Sequence, residues 1–500
     1  DSTEPQPGPT PDVCLNYSAA SSDPVYRAWC LAQKEIAMKF KTTIILLIVF
    51  ILVLGGVLLV EHKSKQAKGK KEKEEMLTDF QVSDVEKLQL TGPGQTSITI
   101  KKDEQDNWQI IEPLVAQADS YEVNSLLETL ASLRIEHVVD SQPADLKEYG
   151  FTQKEIKIWL KEQNEPVVIL TGMDSPLDGT LYARRGDESK VVLLPGYVKS
   201  SLDKNLFDLR NKQIIEFDPN EVQSIEFRSK EIAWKLAKKE DGWYLVSPVE
   251  ALASSSRVDS MLYSISTIKA KDYLAEEKSP EDLKSYGLDQ PEYSLRLVLA
   301  DGREIILSLN KKDEKVMATS THLAKIVEVD SQIISDISLK ANELREKKIA
   351  LFNSWEAFEL TVKKSDRSFS VIKEKSAEKG PEEENWYLIG ENGQKELADS
   401  SKVESFLRKL EYLEAIDFVD QPEASKNYGL DKPEYEITIK VQNEDNKGKS
   451  IHLLFGQKLE GKNQIVIRNS NFNYLFLIEA NSIADWPAGT EGFKPFEITN

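Results

Sequence analysis

Asp289 and Asp431 most invite a chemical role. Each stands at the same place in a repeated stretch, Tyr286-Gly287-Leu288-Asp289-Gln290-Pro291-Glu292-Tyr293 and Tyr428-Gly429-Leu430-Asp431-Lys432-Pro433-Glu434-Tyr435. A decayed third occurrence is Tyr149-Gly150-Phe151. A recurring carboxylate beside a tyrosine invites an acid–base reading, but turn chemistry explains these aspartates without catalysis, since Asp hydrogen-bonds its own backbone in tight turns. Trp108, Trp243 and Trp386 recur too. They could line a ligand groove, each offering a large apolar face and one donor; as repeated residues they are expected to be core anchors. Tyr182-Ala183-Arg184-Arg185 is the most basic short run of the body and could meet an acidic ligand, the blander reading being a solvated strand end. His62, His137, His322 and His452 are isolated and form no local metal site. There is no phosphate-binding Gly-x-x-x-x-Gly-Lys-Ser/Thr loop, no Gly-x-Ser-x-Gly elbow and no dinucleotide fingerprint. No catalytic residue, cofactor or metal is therefore assigned, and a non-enzymatic protein is expected. An enzyme would need converging, perturbed acids in a cleft between repeats.

The elements that hold these residues recur in one order. A β-rich segment carries the Trp: Thr96–Ile100 then Trp108–Ile111, Trp243–Val246, and Trp386–Ile389. An amphipathic helix follows, with apolar ladders Val123, Leu126, Leu127, Leu130, Leu133; Val258, Met261, Leu262, Ile265, Ile268; and Val403, Phe406, Leu407, Leu410, Leu413. The offsets are the same three times and make one helical stripe. Asp119-Ser120, Ser255-Ser256 and Asp399-Ser400 can cap these helices. Gln142-Pro143, Ser279-Pro280 and Gln421-Pro422 then precede the signature. Pro at the first helical position and Gly just past the last describe a helix of about two turns. The signature thus reads as a helix stop and turn into further strands, such as Glu155–Lys161, Tyr293–Leu299 and Tyr435–Val441.

Successive signatures lie 137 and 142 residues apart, a domain-sized period. The expected class is α+β, with three tandem modules of antiparallel sheet plus helix at 79–218, 219–352 and 353–500. The second copy has drifted most and lacks the Tyr-Ala-Arg strand. With 500 residues, 40% hydrophobic and 30% charged, the chain suits several folded domains. A net charge of -20 argues against nucleic acid, which needs clustered cations.

Ile44–Val60 is an unbroken apolar or glycine run, long enough to cross the ~30 Å hydrocarbon of a bilayer. No cleavage site and no lipid-accepting Cys follow it, so it is expected to be an uncleaved signal anchor within 38–60. Lys63, Lys65, Lys68, Lys70, Lys71 and Lys73 lie beyond it, against Lys39 and Lys41 before it. The positive-inside rule read literally keeps the body cytoplasmic. The glutamates mixed into this charged stalk (61–78), and the large body after a short tail, favour an extracytoplasmic body on a bacterial cytoplasmic membrane. Residues 1–37 are Pro-rich at the start and read as an upstream extension or start-site artefact, or else as a disordered tail. Cys14 and Cys30 either pair or stay as thiols.

Taken together, the basic start and apolar span, the Trp-bearing units, the Val-x-x-Leu-Leu-x-x-Leu helix, Tyr-Gly-Leu-Asp-x-Pro and Leu181-Tyr182-Ala183-Arg184 form a recognisable set. It resembles the bacterial membrane-anchored domain-of-unknown-function repeat proteins encoded beside gliding-motility-type ABC transporters. The resemblance covers about residues 38–500. It implies an accessory or binding subunit with ABC permease and ATPase partners. The alternative is an envelope scaffold that assembles through its repeats.

Overall fold

The computed structural model describes residues 76–500, except 95, 152–153, 178, 376–383, 391–392, 423–427, 443–447 and 496–500. The apolar run 44–60, the extension 1–37, both cysteines and most of the charged stalk lie outside the described residues. No helix among the described residues is long and apolar enough to cross a membrane.

Alternating burial organises the first sheet. Strand β1 (Val85–Thr91) buries Val85, Leu88 and Leu90, and β2 (Ile98–Lys102) and β3 (Trp108–Glu112) add Ile100, Trp108 and Ile110. After the two-residue β4 (Ala116–Gln117) the chain forms helix α1 (Ser120–Ala131), then β5 (His137–Asp140). A meander completes the sheet: β6 (Lys154–Leu160), β7 (Val167–Asp174), β8 (Thr180–Arg185) and β9 (Val191–Pro195). The strand order is β4-β3-β2-β1-β6-β7-β8-β9-β5, and every pair is antiparallel. Helix α1 links one edge strand to the other.

The second and third sheets, beginning at Val222 and Ala357, have nine strands in the same order. Their helices are α2 (Ser255–Ser266) and α3 (Ser400–Glu411). All fifteen ladder residues are buried against their own sheet. The Trp strand also fixes where each helix begins: the carbonyls of Trp108, Trp243 and Trp386 accept from the amides of Ala118, Ala253 and Ala398, just before the N-cap. Asp119 and Asp399 then cap with their carboxylates, Asp399 receiving the Lys402 amide.

The α+β expectation is corrected. The chain is mostly β, with three nine-stranded antiparallel sheets and one twelve-residue helix on each. The transmembrane helix in that expectation is not seen among the described residues. In the first copy the reading of a helix before the signature was too generous, because Pro and Gly flanks mark a short turn as readily as a helix. The element before the signature is a 3-10 turn at Leu146–Tyr149 in the first copy and a six-residue helix at Pro280–Ser285 in the second. The second copy also keeps the strand it seemed to lack, as Lys315–Ser320.

The described chain divides into two compact units, one ending at Asn211 and one running from Lys212 to Asn500. The first holds one sheet and the second holds two.

Candidate functional site

The signatures close the back of each sheet. In the third, Ile465 and Ile467 belong to the main core while Val466, between them, packs with Leu430 and Leu475. Alternation along a strand places Val466 on the opposite face. In the second sheet Met317, which lies between Val316 and Ala318 of the main core, packs in the same way with Leu288 and with Ile326 of the neighbouring strand. Leu288 and Leu430 are thus buried covers for the face away from the helix. In the first sheet an aromatic set does this, with Tyr149 edge-on to Tyr182 at 5.0 Å and 6.0 Å from Phe151.

Gly150, Gly287 and Gly429 all hold positive φ (64°, 70° and 71°), which a Cβ disfavours. Asp289 and Asp431 are exposed, and Pro291 and Pro433 are half-buried. The recurring aspartates therefore sit at the outer lip of the turn and are not brought together with any other candidate. Trp108, Trp243 and Trp386 are each at most 3% exposed and belong to the main cores, so they line no groove.

The basic run is spent locally. Arg184 donates to the carbonyls of Arg185, Gly186 and Glu188, and Arg185 forks onto Asp187 at 3.1 Å. His452 meets Glu436 at 3.0 Å, which holds the Glu436 carboxyl below its usual range. Among the described residues no group of His, Cys, Asp or Glu could hold a metal ion.

Two clefts remain. One of about 400 Å³ in the first unit is lined by Lys154, Gly172, Met173, Asp174 and Lys199. Burial pulls the Lys154 ammonium below the ordinary lysine value, opposed by Asp203 at 3.5 Å, and it donates to the Leu202 carbonyl. The other, of about 450 Å³ in the second unit, lies where the second sheet's module meets the third, between Arg257, Glu343, Lys348 and Glu414. Both offer ionic contact at an open surface.

The most unusual chemistry lies beneath that second cleft, at a residue the motif reading passed over. Arg345 ends the second module and is completely buried. The strand-like backbone on either side fixes it: Ser254 N donates to Leu344 O, Glu346 N to Leu252 O, and Ala415 N to Lys347 O. Its guanidinium enters the third module, 3.8 Å from the ring centre of Phe418 and 4.3 Å from that of Tyr474. Nη1 donates to Asp420 Oδ1 at 2.6 Å, while neither Nε nor Nη2 meets an acceptor at hydrogen-bond geometry. Asn342 reaches Asp417 from the same segment at 2.8 Å. The available sequence signal was a second repeat, Leu209-Arg210 and Leu344-Arg345.

Burial pushes the Tyr474 phenol up to about 12, although the Arg345 charge pulls the other way. An unfolded tyrosine ionises near 10. The folded chain therefore keeps a proton that the unfolded chain loses, so this stability is whole below pH 10 and is lost as pH rises toward 12. Equilibrium unfolding should show up to about 2–3 kcal/mol of extra alkaline destabilisation over this range. Tyr474→Phe should remove that increment when compared with the parent chain at pH 9 and pH 11.5. An unchanged slope in the variant would refute it.

Comparison with known proteins agrees with the repeat. No curated protein matches the chain. One solved structure, the DNA polymerase III subunit beta from Pseudomonas aeruginosa, aligns with 80% of this chain and 92% of its own at 9% identity. Its TM-score of 0.13 is too low to show a shared fold. Residues 108–244 and 243–433 each match the family described as Domain of unknown function (DUF4340). Each match opens at a Trp strand rather than at the start of a sheet; the first ends just past Trp243, and the second runs on beyond Trp386 to Pro433 in the signature. Matched twice across well over half its length, the chain belongs to the DUF4340 family.

Proposed function

We propose that this protein is a non-enzymatic binding subunit, anchored at the bacterial cytoplasmic membrane through the apolar run 44–60. Its sheet modules would stand outside the cytoplasm and engage an envelope ligand or the membrane-embedded permease subunits of an ABC-type transporter or gliding-type envelope complex, and through the permease associate with its ATPase. One observation carries the reading: the recurring residues are consumed in building the modules, while the surfaces those modules present differ from copy to copy. The signature leucines cover a sheet, the tryptophans anchor helices, and the recurring glycines make turns. Exposed residues instead include Tyr121 and Val115 in the first unit and Trp355 in the second. A scaffold of constant frame and variable surface suits partner recognition, where exposed aromatics supply contact area. Membrane placement and transporter association rest on the hydropathy of the sequence and the resemblance given above.

Crosslinking the full-length tagged chain in its native membrane, followed by purification, should recover permease and ATPase subunits. Recovery of the chain alone, as a monomer, would reject the proposal. A scaffold reading is favoured by one feature: edge strand β5 exposes Val138 (54%) and Val139 (40%), and open apolar edges template pairing. Concentration-dependent assembly in sedimentation would support that reading, and a strict monomer would exclude it.

A further inference from the structure

We propose that Arg345 is a releasable latch between the second and third modules, held shut by Asp420. A guanidinium taken wholly out of water is costly unless its donors are satisfied. Arg345 satisfies this poorly. It has one carboxylate partner, Asp420, and two donor nitrogens without acceptors. Beyond a long 3.5 Å contact from Nη1 to Asn342 Oδ1, the attraction comes from two aromatic faces, through cation–π contact with Phe418 and Tyr474. A residue optimised for stability alone would be apolar here, since well-packed hydrophobic groups usually match or exceed buried ion pairs. What the arginine adds is reversibility, because once released it recovers its hydration.

The counter-charge is placed where it can be challenged. Arg345's side chain is 0% exposed but that of Asp420 is 33% exposed, so the lock can be reached from solvent while the bolt cannot. A basic group of a partner that competes for Asp420 would weaken the hold on Arg345 without entering the core. Asn342, in the short helix just before Arg345 (Ala341–Leu344), donates at 2.8 Å to Asp417 at the start of the edge strand Asp417–Val419, and this bond keeps the two modules in register while the guanidinium leaves.

Hydrogen exchange on the intact chain tests this with two variants of opposite expected sign. Asp420→Asn should speed exchange across 415–420 at least tenfold while leaving the core helix segment 403–411 unchanged. Arg345→Met, which fills the cage without charge, should slow or preserve exchange across 415–420. It should also abolish the acceleration that raised salt produces in the parent chain by screening the pair. Equal acceleration of the helix segment in Asp420→Asn would mean general loss of stability and would overturn the latch. So would unchanged exchange in that variant, or faster exchange in Arg345→Met.

Discussion

Gly456→Ala should unfold the back of the third sheet, at a cost of about 3 kcal/mol, the upper end of what overpacking usually exacts. The cause is a single close approach. A Cβ on Gly456 would lie 2.1 Å from the carbonyl oxygen of Tyr428, and backbone cannot turn aside as a side chain can. Gly172 stands in the same relation to Tyr149, also at 2.1 Å. At both sites the strand pairing slips, between Phe455 and Lys458 and between Thr171 and Asp174, as it does where a bulge admits an extra residue. The second module solves the problem differently. Its pairing runs on without a slip through Asn310 opposite Met317, and the Asn310 side chain donates to Tyr286 O at 2.9 Å. Gly456→Asn should accordingly cost less than Gly456→Ala, because the amide can return a hydrogen bond to the carbonyl it displaces. Urea denaturation of the three chains would show the order. Equal midpoints for Gly456→Ala and the parent would mean that the signature carbonyl is not held against this strand.

How far the sequence reveals this fold depends on the distance over which each signal acts. The helices are legible because a ladder at 3.6-residue spacing is written within a dozen residues, and Val403 to Leu413 follows it to the last position. The signature turn is legible because glycine is cheap at positive φ, and Gly287 and Gly429 both take it. The sheets are less so. Asp417–Val419 shows only three residues of ordinary strand character, and it becomes an edge strand by pairing with Leu475–Glu479, nearly sixty residues away. Counting such partners late tilts the balance from α+β to mostly β.

Arg345 was missed for a related reason. In a chain with 64 Lys and Arg, one more arginine in a charged linker reads as solvated, and nothing nearby announces the cage formed by Phe418 and Tyr474. Only comparison of the two Leu-Arg junctions, 135 residues apart, would have raised the question.

Trp386→Ala should be the most damaging single truncation in the third module, costing about 3–5 kcal/mol as large aromatic-to-alanine changes in cores do. Trp386 is 2% exposed, packs in the main core with Phe406 and Leu407 of α3, and its strand holds Ala398 just before the helix cap. Losing the ring opens a cavity under the helix at the point where the helix is fixed. Phenylalanine separates packing from polarity. The indole nitrogen of Trp386 has no hydrogen-bond partner among the described residues, whereas that of Trp108 donates to Asn124 at 3.0 Å. Trp386→Phe therefore removes a buried donor that was already unsatisfied, offsetting part of the lost contact. Trp108→Phe gives up a bond and leaves the Asn124 oxygen without that donor, a penalty of about 1 kcal/mol or more. Denaturation midpoints should thus fall further for Trp108→Phe than for Trp386→Phe, each read against its own alanine variant. The reverse order would mean that the indole of Trp386 has a polar partner inside the core and that its role is not packing alone.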